Sequence, residues 1–515
     1  MLRDKPAVGP GPRLAALAVG ILAVASIGAA VPPSSTGSPG RTGAPARVGA
    51  SPASADEIRR FIDARAEAMR LPSLAVVVIK DGEPFVEHYV GGADGATPYF
   101  LGSTSKQFTG FAIQALIADG RLNLEDTLGD LLPEFEQASA DARSVTVRQL
   151  LGHTSGWSQA TGLRKWGWFA GAPDSIRGEA AAIADTALVR APGAEFEYTN
   201  TGYDLLGAVI EEVTGTAYAT ALKELVITPM GLTRTTGDMS EAEAWGVAGD
   251  HYTWFGTFTR PTPAPHPAGG VPSALVVSSA DDLTRLIRAH LGTSETDVAG
   301  PVLEAARRPH SRVNEFVEYG SGWFVRDLWE ATPPGGDWRT ATLPACLEHD
   351  GSIDRSMTTM IVCPDAGLGV VALTNVGAAP DEFRLQRLRS ELVHQLLGTE
   401  IGPRPSDFLV DRATWILVGL PVLHAALVGS WIVARRRGRR GWPVLLLGGL
   451  ALAFSAAVLW LALIHIPRRD GTLRTLRSLW TTVPDLGVVS IISVGFTVVA
   501  VWLALRSARE HRSSQ

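Results

Sequence analysis

Apolar positions along this chain fall into three regimes. Near the N-terminus, Leu14 to Val31 is a nearly unbroken apolar run behind Arg3, Lys5 and Arg13. That layout is a secretory signal or signal anchor over residues 1–31, with Gly28-Ala29-Ala30 as a small-residue cleavage site. Residues 32–53 are rich in Pro, Ser, Gly and Ala and read as a disordered linker. From Ser54 to residue 400 the pattern is that of a folded domain. Ser54-Ala55-Asp56-Glu57 has capping-box spacing, and Ile58, Phe61, Ile62 and Met69 follow at helical intervals. Leu74 to Ile79 and Pro84 to Val90 are strand-like and flank a Lys80-Asp81-Gly82-Glu83 turn, which predicts a hairpin. Gln107 to Gly120 reads as an amphipathic helix, and a helix-rich stretch with irregular loops fills the middle. Leu347 to Asp350, Met357 to Val362 and Leu368 to Asn375 read as three more strands. Pro380-Asp381 opens a last helix with Phe383, Leu385, Leu388, Leu392 and Leu396 as its apolar set. Strands at both ends with helices between predict an α+β domain: one antiparallel sheet, terminal helices on it, and a helical subdomain beside it.

Beyond a short linker, 401–414, the third regime begins. Residues 415–434, 442–466 and 486–505 are each apolar and long enough to cross a bilayer. Arg435, Arg436, Arg437, Arg439 and Arg440 lie between the first two, so the positive-inside rule places that loop and the tail 506–515 in the cytoplasm. The domain 54–400 is then extracytoplasmic, on a multi-pass protein of the cell membrane in contact with lipid. Arg468, Arg469, Arg474 and Arg477 fall in the outer loop, where Leu473, Leu476 and Leu479 alternate with them as in an interfacial helix. Two spans rather than three is the alternative.

Composition agrees with this division. The chain has 515 residues, too many for one ordinary domain, and is 46% hydrophobic. Its mean hydropathy is +0.13, high for a wholly soluble protein. The net charge is -6, yet residues from Ile401 onward carry fourteen arginines, no lysine and five acids, a net of +9. Residues 1–400 therefore hold -15, a distribution that argues against a nucleic-acid partner. Two cysteines, Cys346 and Cys363, rule out a disulfide-rich scaffold and a cysteine zinc site. They flank a strand pair, and a disulfide and two buried thiols fit that spacing equally.

Among the five lysines only Lys106 has a serine three positions before it, Ser103. On a helix that spacing puts hydroxyl and amine on one face, where a neutral amine can take the hydroxyl proton and make a nucleophile. Two further segments supply partners. Tyr198-Thr199-Asn200, in a loop before the helical run Leu205 to Val213, offers a proton shuttle and an amide. His349-Asp350-Gly351 ends an apolar strand and is followed by Ser352, with a glycine where a substrate can lie along the strand edge. Competing constellations are absent: Gly152-His153-Thr154-Ser155-Gly156 has the wrong order for a nucleophile elbow. No H-E-x-x-H, Walker loop or strand-linked G-x-G-x-x-G occurs. No cofactor and no metal is called for.

Taken in order, these segments resemble the serine β-lactamase and penicillin-binding protein superfamily. The nearest likeness is the branch with class C β-lactamases, D-alanyl-D-alanine carboxypeptidases, D-aminopeptidases and related esterases. The resemblance runs from Leu71 to Leu397 through Phe100–Thr109, Gly120–Thr127, Leu150–Gly156 and Tyr198–Gly207, and more weakly through Val277–Leu283 and Tyr319–Trp323. It implies the β-lactamase/DD-peptidase-like fold. It implies that Ser103 forms an acyl-enzyme, Lys106 is or assists the base, Tyr198 shares the proton transfer, and Asn200 holds the substrate amide. His349 and Gly351 would bind substrate. The N–H groups of Ser103 and Ser352 would form the oxyanion hole, worth roughly 3–4 kcal/mol per donor. His153 and Ser155 read as structural.

This chain departs from the family in two places. His349 stands where β-lactamases usually carry lysine, which makes the site's charge toward a substrate carboxylate conditional. Ile353-Asp354-Arg355 occupies a turn where glycine is common, and Arg355 is either a replacement anchor or an exposed turn residue. Trp157 to Phe169, with Trp166 and Trp168, and Tyr252, Trp254 and Phe255 either line the cleft or pack long loops. The expected activity is serine hydrolysis of amides or esters, foremost D-amino-acid peptides of the cell wall. The partners are small peptide, ester or β-lactam substrates. An esterase or weak β-lactamase on the same residues, and a non-enzymatic penicillin-binding sensor, are the alternatives.

Overall fold

The computed structural model describes residues 52–399 apart from 164–173, 256–257, 265, 295, 299, 333–341 and 378, together with scattered positions from 419 to 502. The signal segment, most of the linker 32–53, and nearly all of 401–515, with its three candidate spans, lie outside the described residues. So do Trp166 and Trp168. Among the described residues no helix is long and apolar enough to cross a membrane. Residues Gly37–Val410 form one compact unit, set apart from the rest of the chain. It holds the whole of the domain expected between Ser54 and residue 400.

Its described chain begins with α1 (Ala55–Met69), capped by Ser54 and Glu57 in the expected box. Then come β1 (Leu74–Lys80), β2 (Glu83–Val90) and the short β3 (Tyr99–Phe100). Helix α2 (Ser105–Ala118) carries the chain into the helical region, which includes α3 (Asn200–Thr214). A small hairpin, β4 (His251–Trp254) and β5 (Phe258–Pro261), is followed by β6 (Val277–Ser278) and α4 (Ala280–Leu291). Strands β7 (Ser311–Arg312), β8 (Val317–Gly320), β9 (Trp323–Asp327), β10 (Ala345–Ile353), β11 (Ser356–Cys363) and β12 (Leu368–Thr374) precede the last helix, α5 (Ala379–Leu397). Eight strands form one sheet in the order β2-β1-β12-β11-β10-β9-β8-β7, and every pairing in it is antiparallel.

The sheet separates two apolar cores, because alternate residues of a strand point to opposite faces. Leu74, Val76 and Val78 of β1 join Ile361, Val370 and Ala372 beneath Ile58 and Ile62 of α1 and Leu385, Leu388 and Leu392 of α5. Ala75, Val77 and Ile79 join Met360, Val371 and Leu373 against Phe108 and Phe111 of α2. With both faces covered, β1 and β12 read as continuous apolar runs. Cys346 and Cys363 form a disulfide at the open end of the β10–β11 pair, one step beyond the Leu347–Val362 register.

Two expectations are corrected. Helix α2 is not amphipathic: eleven of its fourteen residues are buried, so it runs through the molecule rather than over it. The sheet also extends past the five expected strands to β7, β8 and β9, which are short and surround glycine turns, leaving little alternation to read.

On the α5 face, β10 carries a buried charge network. Arg326 pairs with Glu330 (2.9 Å) and Glu348 (2.8 Å), while Arg389 pairs with Glu348 (3.1 Å) and Asp350 (2.9 Å). Burial pushes the Glu348 carboxyl up, but the two guanidinium groups outweigh it and hold it at about 2. A depressed value means that this pairing stabilises the fold above the carboxyl's ordinary range and fades as pH falls through about 2. Replacing Arg389 by Met leaves Asp350 without a cation and Glu348 with Arg326 alone. We expect a loss of about 3–5 kcal/mol, read from urea unfolding at neutral pH.

Candidate active site

The site begins with a turn. Strand β3 pairs with β6, and Leu101 N–H donates to the Val276 carbonyl (3.0 Å), which fixes the approach to Ser103. Gly102 takes φ +56° and opens a 3-10 turn, Gly102–Thr104, that runs directly into α2. Ser103 is therefore one turn before Lys106 on a continuous helical path, as the spacing requires. Ser103 is half-buried, while Lys106 is wholly buried. Lys106 Nζ donates to Ser103 Oγ (3.2 Å), to Asn200 Oδ1 (2.8 Å) and to the Ser273 carbonyl (2.8 Å). Three acceptors match the three donors of an ammonium group and hold it in one position.

Asn200 is the first residue of α3, whose N-cap is Thr199. Because its oxygen accepts from Lys106, its amide nitrogen is the end that can meet a substrate carbonyl. Tyr198 lies just before it, with Lys106 Nζ 5.0 Å from the ring centroid. The phenol is held well above its ordinary range, chiefly by burial. The adjacent Ser103 hydroxyl draws it back down, and Glu382 and Asp350 raise it further. That hydroxyl faces Ser103 without reaching a fully formed hydrogen bond.

The His153 loop serves this arrangement. Thr199 N–H donates to His153 Nδ1 (3.3 Å), Glu197 N–H donates to the His153 carbonyl (2.8 Å), and Gly193 N–H donates to the Thr154 carbonyl (2.7 Å). The His153 ring packs against Tyr198 at 4.4 Å. This loop, including the buried Ser155, props the Tyr198 segment, and the structural reading of His153 holds.

Strand β10 forms the other wall. It pairs with β9 only as far as Glu348 opposite Phe324, whereas β11 accompanies it to Ile353. The edge from His349 to Ile353 is thus free of β9, and the Ser103 turn lies against it. A Cβ on Gly351 would sit 1.8 Å from the Leu101 carbonyl oxygen, and one on Gly102 would sit 2.4 Å from Ser352 N. The glycine at 351 therefore makes room for the Ser103 turn. The same contact sets the Ser352 N–H beside the Ser103 turn.

His349 is buried, Nδ1 donates to the Asp350 carbonyl (2.7 Å), and Nε2 accepts from the Tyr319 hydroxyl (3.2 Å). Both ring nitrogens are used by the neutral form. Burial and then the charge of Lys106 push its pKa down to about 3. At neutral pH it is therefore uncharged. Arg355 is buried as well, donating from Nε to the Thr262 carbonyl (2.9 Å) and lying over the Tyr252 ring, so it is not an exposed anchor.

Three participants had no clear signal in the sequence. The Ser273 carbonyl belongs to a one-turn π-helix, Val271–Leu275, and a backbone acceptor leaves no side-chain mark. Tyr319 sits inside a segment whose only visible sign was Tyr-Gly-Ser-Gly-Trp. Glu382 lies in the first turn of α5, where an acid looks like ordinary helix-start chemistry.

An antiparallel sheet with helices on both faces, and a serine-lysine pair facing the free edge of one strand, define a class. It is the serine hydrolases of the β-lactamase and penicillin-binding protein superfamily. A family model described as Beta-lactamase matches residues 58–394, and the chain belongs to that family. Penicillin-binding protein 4 of Amycolatopsis lactamdurans is 29% identical over 397 residues, covering 72% of this chain and 95% of the relative. The octameric penicillin-binding protein homologue from Pyrococcus abyssi superposes with TM-score 0.56 at 24% identity, over 67% of this chain and 77% of that one. EstCE1, a hydrolase with promiscuous acyltransferase activity, superposes with TM-score 0.54 at 22% identity, over 66% of this chain and 98% of that one. At these identities the two solved structures show a common fold and no more.

Gly351→Ala is expected to displace the Leu101–Ser103 turn from β10. Acylation of Ser103 should slow by about 10²–10³, the effect of losing one oxyanion donor. Stability should drop by about 1–3 kcal/mol. The rate of fluorophosphonate labelling and urea unfolding measure the two, and normal labelling in a folded variant would disprove the role of the contact.

Proposed function

We propose that this chain is an extracytoplasmic serine hydrolase that acts through an acyl-enzyme on Ser103. The observation that carries the reading is Lys106 Nζ, 3.2 Å from Ser103 Oγ and held there by Asn200 and Ser273. In the first step the Lys106–Tyr198 pair works with one proton fewer than ammonium plus phenol, as the Lys106 amine beside the phenol, so that Ser103 Oγ bonds to the substrate carbonyl carbon as its proton passes to the Lys106 amine. The N–H groups of Ser103 and Ser352 receive the developing oxyanion. Collapse breaks the bond to the leaving nitrogen or oxygen, which takes its proton from the same pair. Water then attacks the ester, returns the proton to Ser103 and releases the acid.

The acyl donor we favour is a D-amino-acid peptide of the cell wall, or a β-lactam that resembles one. It would lie in extended form along the free edge of β10. An ester is the second reading, and the neutral, buried His349 favours it by removing a cation from the place where a terminal carboxylate would be met. The apolar runs at 415–434, 442–466 and 486–505 support a membrane anchor. The Cys346–Cys363 disulfide supports an oxidising compartment outside the cytoplasm.

Membranes labelled with a fluorescent penicillin and a fluorophosphonate should show a band that Ser103→Ala abolishes. Absence of any Ser103-dependent label would sink the enzyme, and persistent label without turnover of D-peptides, β-lactams or esters would make the domain a sensor. Tyr198→Phe should keep the fold and slow acylation by about 10²–10⁴. A reporter fused at Gly438 should behave as cytoplasmic and one at Pro403 as external; the reverse would overturn the topology.

A further inference from the structure

The last helix brings a carboxyl group to the substrate edge. Arg389 on α5 is paired with Asp350 on β10 at 2.9 Å. Seven residues earlier on the helix, two turns and about 10 Å back, stands Glu382. Two residues onward along β10, about 7 Å away on the same face, stands Ser352. Helix and strand run in opposite senses here, so the Arg389–Asp350 pair carries Glu382 to the neighbourhood of Ser352, whose hydroxyl favours the ionised carboxylate. From there the Glu382 charge acts on the Tyr198 phenol. An acid thus stands where the open edge of β10 passes the nucleophile.

Four basic groups around this stretch are held by other partners. Lys106 holds Ser103, Asn200 and Ser273, and Arg389 holds Glu348 and Asp350. Arg355 is buried over Tyr252, and His349 is neutral between Tyr319 and Asp350. We propose that Glu382 determines specificity. It selects acyl donors whose leaving side, laid past Ser352 along β10, is neutral or cationic, and it rejects those that end there in a carboxylate. This inference rests on the acyl-enzyme reading above and narrows its substrates to esters and amides with uncharged or amine-bearing leaving groups.

The selection should also depend on pH. Burial, then the charge of Asp350, push the Glu382 carboxyl up to about 7, and the Ser352 hydrogen bond opposes them. The groups that act on it are Asp350 and Ser352 from β10, and its own charge reaches Tyr198 in the loop before α3; Arg384 and Arg389 are further cations of its helix, and Arg389 pairs with Glu348 and Asp350. Arg65 of α1 pairs with Glu391, and Glu330 pairs with Arg326. Below about 7 the carboxyl is neutral and tolerates a substrate carboxylate; above it the ionised form repels one.

The test uses the full-length protein in membranes and two donors with the same N-acyl-D-alanyl group. One is the D-lactate ester with a free carboxylate, and the other is its carboxamide. The ratio of their kcat/KM values cancels titrations that affect both alike. In the wild type the carboxamide should be preferred by about tenfold or more near pH 8.5, with near parity around pH 5.5. Glu382→Gln should give parity at both pH values, and Glu382→Lys should reverse the preference. If the Gln variant does not fold, the pH dependence of the wild-type ratio decides alone. Equal rates in the wild type near pH 8.5, or an unchanged preference in both variants, overturns charge selection and leaves the acyl-enzyme standing. Loss of both reactions and of fluorophosphonate label, matching Ser103→Ala, overturns both.

Discussion

The site depends on one close approach of backbone to backbone. Gly102 and Gly351 meet with no side chain between them, and a single methyl group on either would overlap main-chain atoms. Packed interiors relax too little to absorb such an overlap. That contact carries the Ser103 turn onto the edge of β10 where β9 has already diverged. It also decides the direction of α2, which leaves the turn through the molecule. A second contact of the same kind, Gly322 against the backbone of Lys106 and Gln107, holds the helix on its other side. The nucleophile is therefore positioned by the main chain of three segments rather than by its own side-chain bonds.

The alternation of β10 then sorts the chemistry by face. His349 and Gly351 point to the nucleophile side, while Glu348, Asp350 and Ser352 point toward α5. Charges of both signs are buried together on the α5 face, where Arg326 and Arg389 balance three carboxylates. Among the described residues around the nucleophile, Lys106 is the cation, set among neutral aromatic and imidazole rings. Its field, added to burial, keeps His153 and His349 uncharged. A one-residue slip in register would exchange these faces, so the network on one side maintains the electrostatics of the other.

How much of this was legible in the sequence depends on what each residue does. Ser103, Lys106, Tyr198 and Asn200 were legible because side-chain chemistry at fixed spacing leaves a pattern, and the structure brings all four together. The terminal helices and β1, β2, β10, β11 and β12 were legible because they are long and keep a regular pattern of apolar positions. The Ser273 carbonyl was not, since any residue supplies one. The contact of Gly351 with Leu101 was not legible, because a glycine marks a close approach without saying what approaches. The protonation of His349 was not legible either, because burial and Lys106 set it, and a linear pattern contains neither. Glu382 was passed over because its partner, Ser352, is thirty residues earlier in the chain.

The same arrangement decides how the reaction is stabilised. Lys106 is surrounded by three acceptors, and the imidazole on β10 is neutral. On the acyl-enzyme reading proposed above, the oxyanion falls to the backbone N–H dipoles of Ser103 and Ser352. Such dipoles are effective only when already in place, because their worth lies in needing no reorganisation as charge develops. A site built this way tolerates variation in the charges around it but not in the geometry of its main chain. On the proposed reading, an acid such as Glu382 at its edge alters which substrates enter without disturbing those dipoles.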